Sequence, residues 1–405
     1  MATVKDARRR ATAQALRSYR QNRNRPLNKK LAWILKLSFS VGVLGYLAWR
    51  AQSEGLFEEF LEHDKNWTLF AVAGFAMLLT LVIQFLRWRL LVRALDLELS
   101  PGEALRLGFM GQLFSLLGVG MLGGDALKTF YLGRHNQGRM TEALTTVLVD
   151  RVIGLYGLIV LAGIVCCFFD ASQLSVGEEA ERAAVQKLCW LAPGVAVVST
   201  VGLGVMLLPG VTTWAAWDLL AAIPKVGALL GRLIRALRLY RQRLGTLSLT
   251  IAMSFAIHFC NCVTFYCISM GLPAYSITDG IAAAVEKPSV LAHVTASLLA
   301  LAAGALPVGG LEIIFNVIYR GVARPEMPSQ QGFLIVLAYR LLQMCIAVIG
   351  LYYYLAGRRE VDGLMHEAAE ANEGRGTSEG RLSSARGVGF QPAVQVRFLC
   401  QASSS

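Results

Sequence analysis

Six apolar runs are each long enough to cross a bilayer: about 31–49, 68–86, 143–169, 188–208, 247–270 and 332–356. About 20 apolar residues in a helix cover the ~30 Å hydrocarbon layer. Only helices and closed barrels satisfy every backbone polar group there, and runs of this length are helical. The fold class expected is therefore an all-α polytopic membrane protein. Composition agrees, with 55% hydrophobic and 16% charged residues against roughly 25% charged in a typical soluble domain.

Two further apolar segments, near 104–134 and 290–322, are interrupted by glycine. The first contains Leu-Leu-Gly-Val-Gly-Met-Leu-Gly-Gly-Asp, ending at Asp125; the second contains Leu-Ala-Ala-Gly-Ala-Leu-Pro-Val-Gly-Gly, ending at Gly310. Each is followed by an arginine inside an apolar run, Arg151 and Arg340. Interrupted segments at corresponding places in two halves are the sequence pointer to a transporter-type site.

Charge fixes the orientation. Residues 1–30 hold ten Lys or Arg against one Asp. Beside a span, such a tail marks the cytoplasmic side and meets anionic lipid, rather than nucleic acid. The loop 50–67 is acidic and lies outside, and the second span returns Arg87, Arg89 and Arg93 to the inside. A full crossing by 104–121 would place Lys128, Arg134, Arg139 and the basic loop 209–245 outside, against the positive-inside rule. A hairpin that dips in from the cytoplasm removes the conflict. The same logic makes 290–322 a hairpin from the outer side. The rival, a full span over 290–307, would export the basic C-terminal tail.

The chain then reads as two copies of span, span, hairpin, span, over 31–169 and 188–356, facing opposite ways. Gly124 and Gly310 are 186 positions apart, Arg151 and Arg340 189, so the offset is nearly constant. The flanks are a basic cytoplasmic tail, 1–30, and a polar tail, 358–405, read as disordered. Residues 224–243 read as an amphipathic helix on the inner leaflet. Seven cysteines lie in apolar segments without metal-ligand spacing and read as small buried thiols. No cofactor or metal is expected. His258 and His293 read equally as packed neutral side chains or weak functional candidates.

Charge at membrane depth is costly and marks function. The candidates are Asp125, Lys128, Asp150, Arg151, Glu312 and Arg340. Asp125 reads either as N-cap of the second hairpin arm or as a charged partner for Arg151 or Lys128, and the charged role is the one expected, since Arg151 needs a counter-charge. Lys128 reads as a phosphate ligand or as a side chain snorkelling to the surface. Asp150 and Arg151 are adjacent and point about 100° apart on a helix, so Arg151 must reach a hairpin acid or a ligand. Arg340 needs a partner, and Glu312 is the first choice. Gly123, Gly124, Gly309 and Gly310 are expected at the hairpin tips, where bare backbone N–H groups can meet an anion.

The strings Gly-Gly-Asp-Ala-Leu-Lys-Thr-Phe-Tyr-Leu (123–132) and Ala-Leu-Thr-Thr-Val-Leu-Val-Asp-Arg-Val-Ile-Gly-Leu-Tyr-Gly-Leu (143–158) resemble the signature of the flippase-like membrane domain. That domain forms the membrane region of lysylphosphatidylglycerol synthases. The resemblance covers about 30–357. Lys128 stands where the family usually has arginine. Pro307, Gly309 and Gly310 match the second motif, Glu312 comes early, and Arg340 in Ala-Tyr-Arg matches. The resemblance implies a multi-pass protein of the cytoplasmic membrane that moves a lipid or lipid-linked headgroup, anionic or polyprenyl-linked. Partners would be membrane lipids and a lipid synthase or glycosyltransferase. It does not imply synthesis, which in that family belongs to a separate soluble domain, so no enzyme activity is expected. The alternatives are a membrane-embedded transferase on a lipid phosphate and a non-catalytic partner of a lipid-modifying enzyme.

Overall fold

The computed structural model describes residues 65–116, 121–169, 179–208, 239–272, 275–278, 281–284, 289–303, 315 and 331–357. The chain is an all-α polytopic membrane protein. Its described elements are α1 (Trp67–Ala94), α2 (Pro101–Leu116), α3 (Met121–His135), α4 (Met140–Phe168), α5 (Glu179–Leu207), α6 (Leu244–Gly271), α7 (Val290–Ala303) and α8 (Gln331–Ala356). Five of these, α1, α4, α5, α6 and α8, contain stretches long and apolar enough to cross a membrane. The expected span 31–49, both tails and most of 224–243 lie outside the described residues. A feature not expected is a two-stranded antiparallel hairpin, β1 (Tyr275–Thr278) with β2 (Ile281–Ala284), in the loop after α6.

Local sequence sets the helix starts. Asn66 caps α1, its side chain accepting from the Leu69 N–H at 3.3 Å. The start of α2 is a capping box: the Ser100 hydroxyl accepts from the Glu103 N–H, and the Glu103 carboxylate accepts from the Ser100 N–H. Pro101 occupies the first helical position, where its missing N–H costs nothing. The turn into α4 runs through Gln137 at φ 54° and Gly138 at φ 80°.

The segment 101–135 is a hairpin. At about 1.5 Å per residue, α2 and α3 are each only ~22–24 Å long, too short to span. The Tyr131 hydroxyl donates to Glu103 at 2.8 Å, and further along Gly111 lies against Gly124, so the arms are antiparallel. Both ends of the hairpin return to the C-terminal end of α1. There Asn136 bonds the backbone of Glu98, and Arg139 donates to the carbonyls of Leu95 and Asp96.

The other helices frame it. Helix α6 runs antiparallel to α1: Gly271 meets Asn66 at one end, and Tyr240 and Arg243 meet Leu91 and Asp96 at the other. Helix α8 runs beside α1 in the same sense, with Leu342 at Gly74 and Ile346 to Tyr353 against Leu81 and Phe85. It covers α2, so closely that a Cβ on Gly350 would reach the Phe109 carbonyl oxygen. A core of α1, α6, α7 and α8 stacks Phe265 on Tyr339, 4.4 Å between centroids. Outside, Trp67, Phe75, Phe168, Trp190, Val198 and Tyr352 are exposed. Such a band would be a liability in water and is ordinary in hydrocarbon.

Candidate functional site

The adjacent residues Asp150 and Arg151, about 16 Å into α4 at 1.5 Å per residue, face two different neighbours. Asp150 turns to α1 and α6. Arg87 Nε donates to Asp150 Oδ1 at 2.9 Å, Nη2 to the Asp150 carbonyl at 3.1 Å, and Nη1 to Ser254 Oγ at 3.1 Å. The two charged side chains are 4% and 6% exposed. This guanidinium is fully engaged, and the pair stitches three helices together.

Arg151 turns to the hairpin. Its Nη2 donates to Asp125 Oδ1 at 2.8 Å and its Nε to Oδ2 at 3.1 Å, the bidentate fork that suits arginine to carboxylate and phosphate alike. This pair is more open, at 36% and 19% exposure. Asp125 is therefore not an N-cap: α3 begins four residues earlier, at Met121. Residues 117–120, between the two arms, lie outside the described residues. The Gly123–Gly124 pair is thus helical rather than the turn itself. Its role at Gly124 is close packing, since a Cβ there would come within 2.5 Å of the Gly111 oxygen.

Lys128 lies one turn further along α3. It does not snorkel to the surface; it is buried, its Nζ 5.1 Å from the Trp88 ring centroid and 5.6 Å from that of Phe85. Trp88 is held by its indole N–H, which donates to Thr146 at 3.2 Å. Phe85 is wedged against Gly108, where any Cβ would collide with its ring. Among the described residues Lys128 has neither a hydrogen bond nor an ion pair. The cluster thus joins three bases, Arg87, Lys128 and Arg151, to two acids, Asp125 and Asp150. By formal charge one positive is in excess, and among the described residues the Lys128 ammonium has aromatic faces beside it and no hydrogen-bond acceptor.

The second half is described less fully. Arg340 donates to Gln343 at 3.2 Å on its own helix. Gly309, Gly310 and Glu312, with the expected Glu312–Arg340 pair, lie outside the described residues. His258 Nε2 donates to the Gly154 carbonyl at 2.9 Å. His293 Nδ1 donates to the Ser289 carbonyl, which leaves Nε2 to accept from Ser269 at 2.7 Å. Both histidines thus join neighbouring helices. Among the described residues no three His, Cys, Asp or Glu side chains group as metal ligands. Cys166, Cys189, Cys262 and Cys267 are buried, whereas Cys167 and Cys345 are exposed on the outer band.

Arg87 is the site residue that sequence reasoning missed. It sits beside Arg89 and Arg93 and reads as part of a cytoplasmic cluster. One signal was available: Asp150 and Arg151 point apart, so Asp150 needed a base of its own.

Two comparisons bear on this geometry. A family model described as the lysylphosphatidylglycerol synthase TM region matches residues 33–350. No curated protein matches the sequence.

Proposed function

The chain belongs to the lysylphosphatidylglycerol synthase transmembrane-region family, and from that premise we propose that it moves an anionic lipid, or a lipid-linked headgroup, across the cytoplasmic membrane. The observation that carries this reading is the excess positive charge on Lys128. Among the described residues that ammonium rests on aromatic faces and has no hydrogen-bond acceptor, and a lipid phosphate would give it an anion. Arg151 stands next to it with a planar fork already directed at a carboxylate. A phosphate that enters can share that fork with Asp125 or displace it. Trp88, Phe85 and the packed glycines keep the lysine from folding away to water.

The orientation follows the positive-inside rule. The C-terminal end of α1, both ends of the α2–α3 hairpin and the start of α6 share one edge, which carries Arg89, Arg93, Arg134, Arg139, Arg241 and Arg243. We assign that edge to the cytoplasm, together with both termini. Helix α7 starts at the opposite edge, where His293 meets Ser269 near the end of α6. Helix α8 runs from that edge as well. This supports two inverted halves, each with a hairpin open to one side. Arg340 would serve the outer hairpin as Arg151 serves the inner one. Partners on this reading are membrane lipids and an enzyme that makes or consumes them.

Binding tests the reading directly. Purified protein titrated with phosphatidylglycerol and with uncharged diacylglycerol should prefer the phosphate lipid. Lys128→Met, which keeps the volume and removes the charge, should weaken that preference about tenfold or more, as expected when one charged hydrogen bond of roughly 1.5–3 kcal/mol is lost. Equal affinity of both lipids for the unaltered protein would defeat the proposal.

A further inference from the structure

Helices α4 and α5 join the two halves of the chain, and they approach unusually closely. A Cβ on Gly163 would meet the Ala196 methyl, the Ala192 carbonyl and Pro193 Cα within 3.3 Å. Small residues on both faces bring two helix backbones together in this way. The helices are antiparallel, so three residues forward on α4 and three back from Ala192 on α5 land on one another. Those residues are Cys166 and Cys189. Both are buried, 6% exposed, in one core cluster with Phe169 and Ala192. A disulfide requires Cβ atoms about 3.5–4.5 Å apart. The Gly163 contact draws the two helix backbones together three residues from this pair.

We propose that Cys166 and Cys189 are a reversible dithiol–disulfide pair that covalently joins the first half of the protein to the second. The co-reactant is a disulfide oxidant. The thiolate of one cysteine attacks the oxidant and releases one thiol. The second cysteine then attacks the mixed disulfide, forming the Cys166–Cys189 bond and releasing the other thiol. Two protein thiols become one disulfide, one oxidant disulfide becomes two thiols, and both protons leave with the departing thiols. Cys166 lies two residues from the C-terminal end of α4, the end away from the hairpin mouth. On the topology proposed above, that is the oxidising side of the membrane. The chemistry itself requires only the α4–α5 contact, so it stands or falls separately from lipid movement.

The test uses the full chain in detergent. Protein is treated with oxidised glutathione, free thiols are blocked with N-ethylmaleimide, and the sample is digested without reduction. Peptide mass spectrometry should find a disulfide-linked peptide that joins Cys166 to Cys189, distinct in mass from a glutathione adduct on any single cysteine. Cys189→Ser should abolish the linked peptide and leave Cys166 as the glutathione adduct or the free thiol, and Cys167→Ser should leave the linked peptide unchanged. Absence of the Cys166–Cys189 linked peptide from the oxidised protein, or its replacement by a link from Cys166 to another cysteine, overturns the pairing.

Discussion

Replacing Asp150 by Asn, and separately Asp125 by Asn, distinguishes what the two ion pairs do. Asp150 and Arg87 are 4–6% exposed, so removing one charge leaves the other uncompensated in the bundle. Breaking a buried pair in this way costs about 3–5 kcal/mol. At roughly 2–4 °C per kcal/mol for a large domain, the midpoint of thermal unfolding in detergent should fall by roughly 6–20 °C. The Asp125–Arg151 pair is 19–36% exposed, and solvent screening holds its worth to about 1 kcal/mol or less. Asp125→Asn should therefore shift the midpoint by only a few degrees while strongly impairing lipid movement. A double replacement, Arg87→Met with Asp150→Leu, should recover most of the stability lost in Asp150→Asn, because both charges go together. Circular dichroism melts on matched samples supply the numbers. Equal losses in the two single variants, or no recovery in the double, would refute the division into a stitching pair and a working pair.

Gly124→Ala should open the hairpin and destabilise the protein by about 1–3 kcal/mol, whereas Gly102→Ala, with open space around its Cβ, should be neutral; the same melts compare them. Single cysteines placed near Gly138 and Ser248 should be shielded from an impermeant outer thiol reagent, and those near Glu58 and Glu178 should react; outer labelling near Gly138 would invert the proposed orientation. Burial acts to raise the pKa of Glu103, but its hydrogen bonds with Ser100 and Tyr131 and the nearby His135 outweigh this and hold it below 4.5. Its contribution to stability is thus fully present above that pH and is lost as pH falls through the lowered value. Glu103→Gln should flatten the acid limb of the stability–pH curve.

The hairpin was legible because charge, not hydropathy, gave it away: only a segment that returns to its own side keeps Arg139 at the edge where Arg243 also meets the end of α1. Reach of Arg151 to a hairpin acid was legible too, since a helix cannot turn Asp150 and Arg151 toward the same neighbour. The position of the break was not. Gly118 and Gly120 compete with Gly123 and Gly124 for the turn, and sequence does not separate a glycine that bends the chain from one that lets another helix approach. At Gly124 the second role won, and Asp125 takes the charged role expected of it rather than the cap. Lys128 reads as a phosphate ligand or as a snorkelling side chain, and only Trp88 and Phe85, some forty positions away in sequence, set the second reading aside. The Arg87–Asp150 pair spans 63 positions and joins a residue from a basic run to one from an apolar run, a pairing no local pattern encodes.

The most direct test of the central claim is headgroup translocation in sealed proteoliposomes, read as the rate at which labelled phosphatidylglycerol becomes accessible to a membrane-impermeant reductant. The unaltered protein should flip the labelled lipid at a measurable rate. Lys128→Met and Arg151→Ala should give near-background rates at matched incorporation and melting temperature, and Arg151→Lys, which lacks the planar fork, should restore little. Unaltered rates in both Lys128→Met and Arg151→Ala would contradict a lipid phosphate path through this cluster.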